Sequence, residues 1–158
     1  MNITFQAALL GVIAGMRSMS APAFVSNHFA YSPETALAQS PLKGLGSSTT
    51  ACVLTLMALG EVGADKLPGI PNRTAPGPLG ARAVSGGVCG AAVFLAAGKS
   101  AGQGAALGAS AAIAFTFAAY FLRRQAGKVT KIPDFFLAAA EDALVLGLGL
   151  RIFAEASS

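Results

Sequence analysis

Charge is what this chain has least of. Of its 158 residues only 11% are charged, against 54% hydrophobic, and the mean hydropathy is +0.62. A soluble domain of this size carries about a quarter of its residues charged to coat its surface, so the composition argues against a soluble globular enzyme domain. Histidine occurs once, as His28, with no partner nearby in sequence, which favours a solvated or interfacial role over catalysis. The two cysteines, Cys52 and Cys89, both sit inside apolar blocks, where small buried hydrophobes are expected. No metal-ligand spacing is present, so neither a metal nor a cofactor is expected. The net charge of +4 lacks a basic face interleaved with aromatics, which sets nucleic acid aside as a partner. Met1–Phe5 carries no positive charge, and the apolar run continues past Ala21-Pro22-Ala23. The first block is therefore expected to stay as a membrane helix rather than be cleaved.

What is abundant is long apolar sequence. Five blocks lie at about 3–25, 45–64, 79–98, 102–122 and 133–153, each near the roughly 20 residues a helical span needs. They do not alternate as β-barrel strands would. The expected fold is an all-α polytopic membrane bundle of about five spans in a single domain, 1–158. Tyr31–Lys43, with Pro33 and Pro41, reads as a loop, and so does the Pro- and Gly-dense stretch Lys66–Pro78. Basic residues collect in the second and fourth connections: Lys66 and Arg73, then Arg123, Arg124, Lys128 and Lys131. The positive-inside rule puts those connections in the cytoplasm. Five spans then place the N-terminus inside and Ser158 outside.

Small residues recur at i, i+4: Gly11 and Gly15, Gly86 and Gly90, and Gly104 and Gly108, with Ala112 and Thr116 continuing the last stripe. Such faces let helices approach closely in lipid, within a bundle or between copies. With little room for an internal pathway, a homo-oligomer, most simply a dimer, is the expected assembly.

Several charges stand inside these blocks. Arg17 interrupts the first, Glu61 and Asp65 end the second on one helix face, Arg82 opens the third, and Glu141 and Asp142 lie within the fifth. A charge at the centre of a span costs roughly 2.5–3.5 kcal/mol and must face the bundle interior or a wet cavity. Arg17 needs a carboxylate, with Glu61 and Glu141 the candidates, and the cluster is expected near the midplane. A carboxylate left over in this competition can exchange protons, the chemistry of a proton-coupled carrier; a purely structural ion-pair network is the competing reading. Backbone N–H groups of the proline-rich loop, together with Lys66, Arg73 and Thr74, form a candidate anion-binding element, or else a stiff turn. It is no Walker loop, for GxxxxGK[ST] is absent. Gly15-Met-Arg17-Ser-Met-Ser20 echoes Gly80-Ala-Arg82-Ala-Val-Ser85, and Met57-Ala-Leu-Gly-Glu61 echoes Leu137-Ala-Ala-Ala-Glu141. Paired halves are common in transporters, but one extra span separates the second pair of motifs.

Gly15-Met-Arg17, Glu61 followed by Ala64-Asp65-Lys66-Leu-Pro68, and Glu141-Asp142 resemble a bacterial membrane family, domain-of-unknown-function family 4126. The resemblance covers nearly the whole chain, departs from the pattern at 123–133, and implies a bacterial inner-membrane helical protein without an established activity. Three functions follow from the residues. The first is a small carrier or channel for an anionic or phosphorylated small molecule or lipid headgroup, held by Arg17 and Arg82. The second is an enzyme acting on a lipid-linked phosphate: Pro-Gly-Ile-Pro-Asn-Arg-Thr resembles the Pro-Gly-x-Ser-Arg-Ser loop of undecaprenyl-diphosphate phosphatases with its serines replaced, although no nucleophile–His–Asp set accompanies it. The third is a structural or assembly protein of the bilayer.

Overall fold

The computed structural model describes residues 1–32, 35–64, 74–129 and 134–154. Among them every regular element is helical: α1 (Ile3–Met16), α2 (Ser20–Tyr31), α3 (Thr35–Ala38), α4 (Ser48–Ala64), α5 (Pro76–Ala96), α6 (Ala101–Val129) and α7 (Asp134–Ala154), with a 3-10 turn at Lys43–Gly46. Among the described residues two helices are long and apolar enough, by length and composition, to cross a membrane: Pro76–Ala96 and the Ala101–Leu122 part of α6. At ~1.5 Å per residue each spans about 30 Å. The apolar helices Ile3–Met16 and Ser48–Gly63 are shorter.

The centre of the bundle is the antiparallel pair α5–α6. The chain reverses between them in a tight glycine cap. Gly98 has φ +66°, the Gly98 N–H donates to Leu95 at 2.9 Å and the Lys99 N–H to Phe94 at 2.8 Å, which is a Schellman termination. The small-residue stripes meet inside the chain. A Cβ on Gly86 would stand 2.6 Å from the Gly108 carbonyl oxygen, and one on Gly15 would stand 2.7 Å from that of Ala112. Gly90 faces Gly104, and Gly11 faces Gly108. These pairings make α1 parallel to α6 and antiparallel to α5, and they spend the GxxxG faces on packing within the chain. Cys89 is buried in this core, whereas Cys52, on α4, is exposed.

The first apolar block is not one helix. It stops at Arg17, whose backbone is extended (φ −139°, ψ 114°), and resumes at Ser20. The two pieces run in opposite senses. Arg17 pairs with Asp142, and Phe5 and Leu9 share a small cavity with Leu148 and Ile152, so α1 is antiparallel to α7. Phe24 lies against Gly149 and His28 stacks on Phe153 at 4.5 Å, so α2 is parallel to α7. Ser18 bonds Glu61 and Asn27 bonds Thr55, so α4 is antiparallel to α2. Reading 3–25 as a single crossing is thereby corrected. The start of α1 lies at the same end of the bundle as the end of α7, together with the α5–α6 turn, and not at the opposite end. Here this is called the α5–α6 end, and the other the α4–α5 end.

The break has a local cause in Pro22. A continuous helix would need an N–H at position 22 to reach the Ser18 carbonyl, and proline has none and crowds that carbonyl. In the first turn of a fresh helix the same proline is tolerated. Two smaller expectations also shift. The 31–43 stretch contains α3, whose Leu37 is buried, and Pro76 and Pro78 belong to the first turn of α5 rather than to the preceding loop.

Candidate functional site

Breaking a helix strands backbone donors and acceptors, and in an apolar interior each needs a new partner. Here the partners come from three other helices. Glu61 of α4 accepts from the Ser18 N–H at 2.9 Å, the Ser18 hydroxyl at 2.8 Å and the Met19 N–H at 2.9 Å. The carboxylate thus caps the start of α2, where the helix dipole favours negative charge; Met19, the residue in the cap position, supplies no side-chain cap of its own. On α6, the Thr116 hydroxyl lies within hydrogen-bond reach of two carbonyls, Gly15 at 3.2 Å and Ala112 at 2.8 Å. Gly15 is the acceptor that Met19 would have used in an unbroken helix. From α5, the Ser85 hydroxyl donates to the Ser18 carbonyl, the very group that Pro22 leaves without a donor.

Arg17 stands at the break, only 2% exposed. Its N–H still closes α1 on Ile13 at 2.8 Å, so its positive charge sits at the negative end of that helix. The guanidinium Nε donates to Asp142 Oδ1 at 2.5 Å, and Nη1 to the Glu61 carbonyl at 3.4 Å. Among the described residues Arg17 pairs with Asp142 of α7, while the Glu61 carboxylate is occupied with the backbone. The sequence places Asp142 in the cluster but points to Glu61 and Glu141 as partners of Arg17; the structure gives that place to Asp142. Neighbouring residues on a helix point about 100° apart, so only the rotation of α7 decides which of Glu141 and Asp142 faces Arg17.

The remaining candidates fall around this centre. Arg82 is buried on α5 one turn before Ser85, and Glu141 is half-buried on α7. Asp65, Lys66 and Arg73 lie outside the described residues, and Thr74 begins the segment leading into α5. The anion-loop expectation thus rests largely on positions that are not described. Among the described residues no cluster of His, Cys, Asp and Glu has the makings of a metal site. Ser18, Ser85, Asn27 and Thr55 were not anticipated; the one sequence signal for the first two was Pro22.

Beside the break lies a cleft of about 510 Å³, within the usual size range of small-molecule sites. Three helices line it with regularly spaced stripes: Ser20, Ala23, Phe24 and Asn27 from α2; Thr55, Ala58, Leu59 and Val62 from α4; Asp142, Val145, Leu146 and Leu150 from α7. Arg17 and Asp142 form its polar end. Asn27 donates to Thr55 at 2.9 Å across its α2–α4 wall; the other walls are mainly aliphatic and aromatic. Arg82 is six residues into α5, Asp142 eight into α7 and Glu61 three from the end of α4, or roughly 5–12 Å from the α4–α5 end at 1.5 Å per residue.

The echoed motifs also meet here, in different conformations: the one around Arg17 is broken, whereas the one around Arg82 is helical. With the first block split, each half has three principal helices, α1-α2-α4 and α5-α6-α7. The extra span that had separated the second pair of motifs is thereby matched. Matching helices run in opposite senses, α1 against α5 and α4 against α7. Compared with known proteins, the chain matches no family model, no curated protein and no solved structure.

Proposed function

We propose that this chain is a small membrane carrier for an anionic or phosphorylated small molecule or lipid headgroup, with the Arg17–Asp142 pair as its binding centre. The observation that carries this reading is the broken helix. A chain interruption inside an apolar bundle, with half-helix ends and a buried ion pair turned toward a cleft, is how carriers build binding sites in lipid. Opposed halves bearing the same Arg and Glu motifs support it further. In this proposal an incoming anion competes with Asp142 for Arg17, and proton movement accompanies that exchange.

In this proposal α4, α5, α6 and α7 cross the bilayer, and α1–α2 enters it from one side and returns. The basic connections set the α4–α5 end in the cytoplasm, in a bacterial inner membrane, with both ends of the chain outside. Kinship with domain-of-unknown-function family 4126 remains part of the proposal. The test is flux. Vesicles containing the protein and an entrapped pH dye are challenged with inorganic phosphate or glycerol phosphate. Anion-dependent proton movement is expected, and it should vanish in Arg17→Ala and Asp142→Asn but persist in Lys43→Ala. Absence of flux for every anion, combined with phosphate release from a lipid-linked phosphate, would replace the carrier by an enzyme. Absence of both would leave a structural membrane protein.

A further inference from the structure

The cleft is more apolar than a soluble anion requires, and its shape says what fills the rest. We infer that it holds one hydrocarbon chain of a phosphate-bearing lipid, with the phosphate at Arg17 and the chain running toward the α5–α6 end. The inference rests on the site reading above and names its substrate class.

Three observations carry it. First, the charged groups occupy one end. From Asp142 the α7 stripe continues through Val145 and Leu146 to Leu150, eight residues or about 12 Å of helix, and all three of these cleft-lining residues beyond Asp142 are aliphatic. Second, the cleft is open sideways. Leu59 of α4 and Leu146 and Leu150 of α7 line it and are 64%, 57% and 67% exposed, and they face each other across a gap where α4 and α7 do not pack closely. In a bilayer such a slot admits a chain laterally from the lipid. Third, the orientation matches one leaflet. The charged end lies roughly 5–12 Å from the α4–α5 end and the apolar part runs on toward the α5–α6 end, the order of headgroup and chain in a lipid that enters from the α4–α5 side. A soluble phosphate would satisfy Arg17 but leave most of the apolar wall uncovered, whereas a lipid phosphate satisfies both.

The chain contains no tryptophan, so a single introduced one is a clean reporter. Leu146→Trp places it at the mouth of the cleft. Val84→Trp, at an exposed apolar position on α5, serves as the reference. Both proteins are reconstituted in phosphatidylcholine nanodiscs doped with a few per cent of phosphatidate, phosphatidylcholine or diacylglycerol carrying brominated, fluorescence-quenching chains. A charge-assisted bond to phosphate should enrich phosphatidate at the cleft about tenfold over the host lipid. The Leu146→Trp signal should then be quenched by brominated phosphatidate well beyond the Val84→Trp signal, and by brominated diacylglycerol no more than it. Filling the cleft by Ala58→Phe or, independently, Val62→Phe should remove the excess. Equal quenching at both reporters with every dopant, or an excess that survives both filling variants, overturns the inference. So does an excess that is as large with diacylglycerol. The flux assay bears on the carrier alone. Excess quenching without flux leaves the lipid site standing and removes the carrier, while phosphate flux without excess quenching does the reverse.

Discussion

Glu61 is the residue on which the broken helix depends most, and its removal can be worked through in numbers. Its two carboxylate oxygens serve two backbone N–H groups and one hydroxyl, all within 2.9 Å. In Glu61→Ala both N–H groups lose their acceptor in a partly buried site, at about 1–2 kcal/mol each, and the start of α2 loses a favourable charge worth about 0.3–1 kcal/mol. The expected destabilisation is roughly 2–5 kcal/mol. Glu61→Gln keeps one acceptor oxygen and sets its amide group against the other N–H, so about half that loss is expected. The assay is reversible unfolding in mixed micelles, titrating a denaturing detergent and following helicity. A double-mutant cycle makes it specific: Ser18→Ala should cost about 1 kcal/mol in the parent and almost nothing in Glu61→Ala, because the two share one bond. If Glu61→Ala lies within about 0.5 kcal/mol of the parent, or if the two changes simply add, the capping account of the break is wrong.

Other consequences are open to simpler measurements. Gly108→Ala puts a methyl group against the Gly86 carbonyl and should sharply lower folded yield and melting temperature, whereas Gly147→Ala, which meets nothing within 4 Å, should not. For topology, cysteines placed at Asn2 and Ser100 in a cysteine-free background should react with an impermeant reagent from the same side of the membrane, and one at Gln125 from the other; opposite labelling of Asn2 and Ser100 would undo the returning α1–α2 pair. For assembly, the Gly faces are consumed inside the chain, and α4 presents exposed Val53, Leu56 and Met57 on the face turned away from the cleft. A homodimer through that face is therefore expected by mass measurement in nanodiscs, lost on Leu56→Ala with Met57→Ala; a monomer at every concentration would refute it.

The all-helical character, the two long apolar helices and the presence of charges inside apolar blocks, of which Arg17 and Arg82 are buried, were legible from sequence, because each rests on local chemistry. Apolar runs of about 20 residues without turn signals form helices in any apolar setting, and a lone arginine in such a run must find a carboxylate. The small-residue stripes likewise announced close helix contact, though not whether it lay within or between chains. What escaped was the break at Arg17–Met19. Pro22 was its one sequence signal, and a proline within an apolar block is as compatible with a mild kink as with a full reversal. The reversal requires Glu61, Ser85 and Thr116 to supply the missing bonds, and those come from 43, 67 and 101 residues away. No local pattern encodes partners at such separations. The choice of Asp142 over its neighbour, the depth of the cluster and the cleft between α2, α4 and α7 likewise depend on how whole helices are rotated and placed. Sequence alone determined which groups had to be satisfied; tertiary packing decided which partners satisfy them, because helix rotation and register are set by contacts distributed over the entire bundle.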